Sequence, residues 1–192
     1  MTKDYKVEKI FNVPIYSCII ENLDEVTNEL DECIKKIEFK GVNDWGRTHL
    51  LSNINFDEDI IRKYQLNKLW GEIDKNLHTY CDDIKFTMTD YYMKSWFSLF
   101  EKNNYAHVHN HSGSDISGVF YYKTNGNDGN IVFHNFNPYF NMSRCYSNYF
   151  QSWEHKPVVG KLLFFPSWLH HGVTTNETDD TRISFSFNIN FT

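Results

Sequence analysis

Two amphipathic stretches followed by six to eight short β-forming runs predict a mainly β chain with N-terminal helices. The expected architecture is an antiparallel barrel or jelly roll with the helices packed outside it. Three observations carry this. Apolar residues recur at three- and four-residue spacing up to about residue 80. From Ile84 onward the chain turns to short runs rich in aromatic and β-forming residues, and turn-forming residues separate those runs. No repeat, low-complexity tract or linker divides the sequence, so residues 1–192 are expected to form one domain able to bury its own core.

Taken in order, residues 7–20 read as an extended segment, and Pro14 marks it as an edge. An edge strand there is a place for a second copy to pair, so a homodimer is one expectation. Leu23, Val26, Leu30, Ile34 and Ile37 then define an amphipathic helix with Asn22 or Asp24 near its start. A loop over 41–53 leads to a second helix from about residue 57 to 80. That helix carries Ile60, Ile61, Tyr64, Leu69, Trp70, Ile73 and Leu77 on one side. Strands are expected within 85–99, 117–123, 130–136, 160–165 and 181–191. The two glycines and Asp-Gly step of 125–129 suit a hairpin. Residues 136–153 are long, aromatic and irregular, fitting either a lid over a site or a loop packed on the barrel's outside.

Composition removes several classes of function. Hydrophobic residues make up 41% and aromatics 17% of the chain, too much for a disordered protein. The net charge of −6 and the lack of a basic stripe argue against nucleic-acid binding. The opening residues lack a signal-peptide core, and the apolar run at 10–20 is too short to span a bilayer. Cys18, Cys33, Cys81 and Cys145 are scattered, with no Cys-x-x-Cys pair, as expected of reduced thiols in a cytoplasmic protein.

The chemistry concentrates in two clusters. His107, His109 and His111 alternate along one segment, and Pro-Ser-Trp-Leu-His-His-Gly-Val follows at 166–173. Residues two apart in a strand share a face, so two of the first trio could chelate a metal. The third ligand would come from His170 or His171. Imidazole suits iron, zinc, copper and nickel. Arg182 and Ser184, again two apart, could hold a carboxylate between guanidinium and hydroxyl. The remaining histidines, His49, His78, His134 and His155, are read as ordinary packed or solvated residues.

These motifs carry a family resemblance. Ser95-Trp96, His109-Asn110-His111, Ser114-Asp115-Ile116-Ser117-Gly118-Val119-Phe120-Tyr121, Gly160 to Leu169, His171, and Arg182-Ile183-Ser184-Phe185-Ser186-Phe187-Asn188 together resemble the 2-oxoglutarate and Fe(II)-dependent oxygenases of bacteria and their phages. The run Phe11-Asn12-Val13-Pro14-Ile15-Tyr16 is similar to that family's first strand. The resemblance implies a double-stranded β-helix, a cupin-like jelly roll, with iron at one mouth. It implies a dioxygenase that uses dioxygen and Fe(II), converts 2-oxoglutarate to succinate and CO2, and hydroxylates a small molecule or a protein side chain. Carried over, His109 and His171 are metal ligands, Arg182 with Ser184 anchors 2-oxoglutarate, and Tyr121 adds a hydroxyl to the same carboxylate.

One position departs from that pattern. Two residues beyond His109, where the superfamily usually has Asp or Glu, stands His111. The expected ligand set is therefore His109, His111 and His171, with Asp115 or His107 as alternatives. Two other functions remain open at this point: a three-histidine zinc hydrolase or lyase, and an inactive cupin-like binding module.

Overall fold

A computed structural model of the chain describes residues 12–41, 48–52, 58–135, 137 and 152–192. Two antiparallel sheets form the body. The larger has seven strands in the order β1 (Tyr16–Ile19), β9 (Lys161–Pro166), β6 (Ile116–Lys123), β11 (Arg182–Phe191), β4 (Tyr91–Phe100), β3 (Leu50–Leu51) and β2 (Lys40–Gly41). The smaller has four, in the order β5 (Ala106–His109), β10 (His171–Val173), β7 (Ile131–His134) and β8 (Ser152–His155). Among the described residues three helices precede the main strands: α1 (Leu23–Ile34), α2 (Ile60–Tyr64) and α3 (Asn67–Asp83). No described helix is long and apolar enough to cross a membrane.

Strand alternation assigns each face of the large sheet its task. Ile183, Phe185, Phe187 and Ile189 of β11 join Met93 and Phe97 of β4 and Phe120 of β6 in the main core. Val26 and Leu30 of α1, and Leu69, Ile73 and Leu77 of α3, close that core from the other side. On the opposite face, Val119, Tyr121, Leu163 and Phe165 meet Ile131, Phe133 and Leu169 in a second core between the sheets. Gly118 has no side chain because a Cβ there would lie 2.2 Å from the Phe187 ring.

Helices α1 and α3 have no side-chain cap of their own and cap each other instead. Glu29 of α1 accepts from the backbone N–H of Lys68 and Leu69 at the start of α3, both at 3.0 Å. Glu72 of α3, buried, accepts from the backbone N–H of Glu21 and Asn22 and from the Asn22 side chain ahead of α1. These carboxylates satisfy orphan donors at each helix start. Asn22, expected near the start of this helix, stands immediately before it, donates to the neighbouring helix and makes no side-chain cap of its own.

Two expectations, the single second helix and the hairpin, need correction. The single helix over 57–80 is two helices, because Gln65 adopts a left-handed conformation (φ 55) and ends α2. The turn at 125–129 forms, with Asp128 accepting from Thr124 Oγ1 and the Asn125 N–H. It does not close a hairpin: β6 pairs with β9 and β11, whereas β7 pairs with β10 and β8, so the turn crosses between sheets. Pro14 lies just before β1, which is the edge strand of the large sheet. Of the expected lid, residues 136 and 138–151 lie outside the described residues, and 152–153 open β8.

Candidate metal and cosubstrate site

A cavity of about 400 Å³ opens between the sheets. Its polar wall is the face of β11 and β4 turned away from the helices: Arg182, Ser184, Ser186 and Asn188 opposite Phe100, Ser98, Trp96 and Lys94 in register. The alternation that buries Phe185 and Phe187 under the helices places these polar residues along the cavity.

At one end the structure brings together His109, His111 and His171, with one ring nitrogen of each within 4.8 Å of the others. His109 ends β5 and His171 begins β10, and the two are register partners across that pair. His111 lies past the strand, held by its backbone N–H donating to Ser167 O at 2.9 Å. Its ring sits 5.7 Å from that of Trp96.

Hydrogen bonds orient two of these rings in the same way. Nδ1 of His109 lies 2.7 Å from His107 O, and Nδ1 of His171 lies 2.8 Å from Leu169 O. A carbonyl only accepts, so each Nδ1 carries the proton and each Nε2 keeps its lone pair. Burial pushes His111 down to about 3 and His171 well below the usual histidine value, and it lowers His109 as well. All three imidazoles are neutral at pH 7, the form that binds metal. Such a donor set fits a divalent first-row metal, iron included.

The alternatives raised by the sequence sit elsewhere. His107 is exposed, its ring edge-on to Tyr105. Asp115 is bound at the sheet's end, where its Oδ2 accepts from the Phe191 N–H. His170 approaches Asn110 at 3.4 Å, outside the cluster. Among the described residues the cluster contains no carboxylate.

At the other end, Arg182 is 1% exposed. Its Nη1 donates to Gly129 O at 2.7 Å, its guanidinium lies 3.9 Å above the Phe100 ring, and its Nε has no hydrogen-bond partner. No carboxylate pairs with it among the described residues. A buried cation in that condition is costly until an anion completes it, so this end of the cavity fits a carboxylate ligand. Tyr121 and Ser184 are register partners beside it, and burial holds the Tyr121 hydroxyl protonated, pushed up to about 12. Gly129 must be glycine: φ is +105, and a Cβ would meet Thr174 O at 2.5 Å and Arg182 Nη1 at 3.3 Å.

Sequence reasoning misses two lining residues and one backbone partner of Arg182. His49, read as ordinary, is buried in the cavity wall and stacks on Phe100. Asn188, which enters the sequence reading only through the resemblance, lines the cavity, and its Oδ1 accepts from Ser117 Oγ at 2.8 Å. The carbonyl of Gly129 was invisible, since it reaches Arg182 from 53 residues away.

Comparison with known proteins bears on the family and the fold. The model of a family described as "putative 2OG-Fe(II) oxygenase" matches residues 94–188, from β4 into β11. Among curated protein sequences none matches. Solved structures share the fold at low identity. A Pseudomonas putida prolyl-4-hydroxylase is 14% identical, covering 93% of each chain with a TM-score of 0.61. HygX from Streptomyces hygroscopicus, solved with nickel and 2-oxoglutarate, is 12% identical over 94% of this chain and 84% of its own, TM-score 0.65. The epimerase SnoN from nogalamycin biosynthesis is 14% identical over 92% of this chain and 77% of its own, TM-score 0.63. The shared architecture is the double-stranded β-helix.

Proposed function

We propose a division of labour for this chain, which belongs to the 2OG-Fe(II) oxygenase family by its match over residues 94–188. His109, His111 and His171 hold Fe(II), while Arg182, Ser184 and Tyr121 hold 2-oxoglutarate. The reaction assigned is hydroxylation of a small molecule or a protein side chain, with dioxygen as the other substrate. One observation carries the reading: a neutral histidine cluster and a buried guanidinium without an anion line the same cavity.

When bound, the iron and the keto acid supply oxygen activation coupled to decarboxylation, leaving succinate and CO2. The chain's own residues bind and aim. His109 and His171 keep their Nδ1 protons on backbone carbonyls, so both Nε2 lone pairs stay available to the metal. Arg182 meets the far carboxylate of the keto acid, and the hydroxyls of Ser184 and Tyr121 donate to it. Ile131, Phe165 and Val173 wall the cavity with apolar surface that excludes water. Three neutral imidazoles cancel none of the metal's charge, which strengthens its hold on a dianionic keto acid. A zinc hydrolase would use the same imidazoles but would leave Arg182 without its anion. Action as one domain over residues 1–192, in the cytoplasm, belongs to the same reading; the thiols of Cys18, Cys33 and Cys81, all unpaired, support the compartment.

Anaerobic titration of Fe(II) and 2-oxoglutarate into metal-free protein tests this. The expected result is a weak visible charge-transfer band that needs both components and is absent in Arg182→Ala, which still binds Fe(II). Iron binding without a band in the unaltered protein overturns the cosubstrate assignment. No iron binding moves the chain to an inactive cupin-like module.

A further inference from the structure

We propose that His49 is a positioning residue for the cosubstrate: with Phe100 it forms an aromatic support that sets the Arg182 guanidinium in place to receive a carboxylate. The inference deepens the function proposed above and depends on it.

Three planar groups from three separate segments are arranged as a support. His49, just ahead of β3, stacks on Phe100 of β4 with ring centroids 4.6 Å apart and planes 3° from parallel. The Arg182 guanidinium of β11 lies 3.9 Å from the centroid of the same Phe100 ring. Phe100 and Arg182 are register partners across β4 and β11, which fixes their approach. All three side chains are at least nine-tenths buried and line the cavity.

The kind of partner matters as much as its presence. A carboxylate beside Arg182 would neutralise it and compete with an incoming diacid. A ring face attracts the cation through its quadrupole and leaves the positive charge intact. Arg182 makes its close hydrogen bond to a neutral carbonyl, Gly129 O, for the same net effect. The guanidinium is thus located without being satisfied, and its Nε remains without a partner.

His49 gives the stack its stiffness. Its Nδ1 lies 3.0 Å from Thr48 Oγ1, and its ring also bonds to the backbone of Tyr105. The Tyr105 N–H in turn donates to Thr48 O at 3.1 Å. With its edge engaged in this way, the histidine acts through its face and is neither metal ligand nor acid-base group. Burial keeps it uncharged, so it does not repel the nearby arginine.

The test is calorimetric titration of 2-oxoglutarate into Zn(II)-loaded protein, where the redox-inert metal prevents turnover. His49→Ala is expected to weaken binding about tenfold, whereas His49→Phe, which keeps a ring face, stays within about threefold. Zn(II) affinity is expected to be unchanged in both. Phe100→Leu, which removes the central ring, should lose about as much as His49→Ala and carries the test if His49→Ala does not fold. Unaltered 2-oxoglutarate affinity in His49→Ala or Phe100→Leu overturns the proposal. So does a His49→Phe variant as weak as His49→Ala, because the ring nitrogens rather than the stack would then matter. If unaltered Zn(II)-loaded protein itself binds no 2-oxoglutarate, the parent assignment fails instead.

Discussion

The two faces of strand β11 share one backbone and do opposite work. Ile183, Phe185, Phe187 and Ile189 bury apolar surface beneath α1 and α3. Arg182, Ser184, Ser186 and Asn188 point the other way and leave hydrogen-bonding capacity, and one full charge, in a cavity. The first face stabilises the fold. The second is held in place by that stability and kept ready for a ligand. A sheet with one sealed face can tolerate an unsatisfied arginine on the other, which teaches where function is built in this architecture.

Substitutions on the two faces should therefore separate stability from binding. Phe185 is 0% exposed, and Phe185→Ala should destabilise the fold by about 3–5 kcal/mol. Chemical denaturation measures that loss, and the protein that remains folded should bind 2-oxoglutarate within about twofold of the original. Arg182→Ala should show the reverse, losing the cosubstrate while its unfolding midpoint changes little, since the cost of a buried cation goes with the side chain. A large binding defect in Phe185→Ala would break the contrast.

Acid should sharpen it. His49 is pushed down to about 4 in the fold by burial, with the nearby Arg182 adding to the fall, against an ordinary value near 6.5. The unfolded chain therefore takes up this proton first. The stability tied to a neutral His49 is complete above pH 6.5 and is lost as pH falls towards 4. The loss is about 3 kcal/mol at most. Metal-free His49→Phe should have a flatter stability profile across that window than the original protein; identical profiles would contradict the assigned burial.

The smallest effect belongs to the helical layer. Gln65 sits at φ 55 where α2 ends, and Gln65→Gly should stabilise the protein by no more than about 1 kcal/mol. Thermal unfolding reads this, and 2-oxoglutarate affinity should not move.

The same division explains what the sequence revealed. The alternation Arg-Ile-Ser-Phe-Ser-Phe-Asn identifies β11 and both of its faces, because period two is a local signal. The histidine run and the Pro-Ser-Trp-Leu-x-His segment point to a metal site for the same reason: their spacing is short-range. The break at Gln65 carries no glycine to announce it, and the apolar spacing runs on across it. The turn at 125–129 was legible as a turn but not as a crossing, since strand partners are chosen by distant residues. The short strands β5, β8 and β10, three or four residues each, exist through pairing rather than pattern. His49 was passed over because its importance arises from Phe100 and Arg182, 51 and 133 positions further along the chain.

The most direct test of the account is a crystal structure of the protein prepared anaerobically with Fe(II) and 2-oxoglutarate, with anomalous diffraction recorded at the iron edge. The account predicts an iron peak ligated by His109, His111 and His171, and the far carboxylate of 2-oxoglutarate on Arg182, Ser184 and Tyr121. Iron bound by His107 or Asp115 in place of one of those histidines, or 2-oxoglutarate turned away from Arg182, would contradict it.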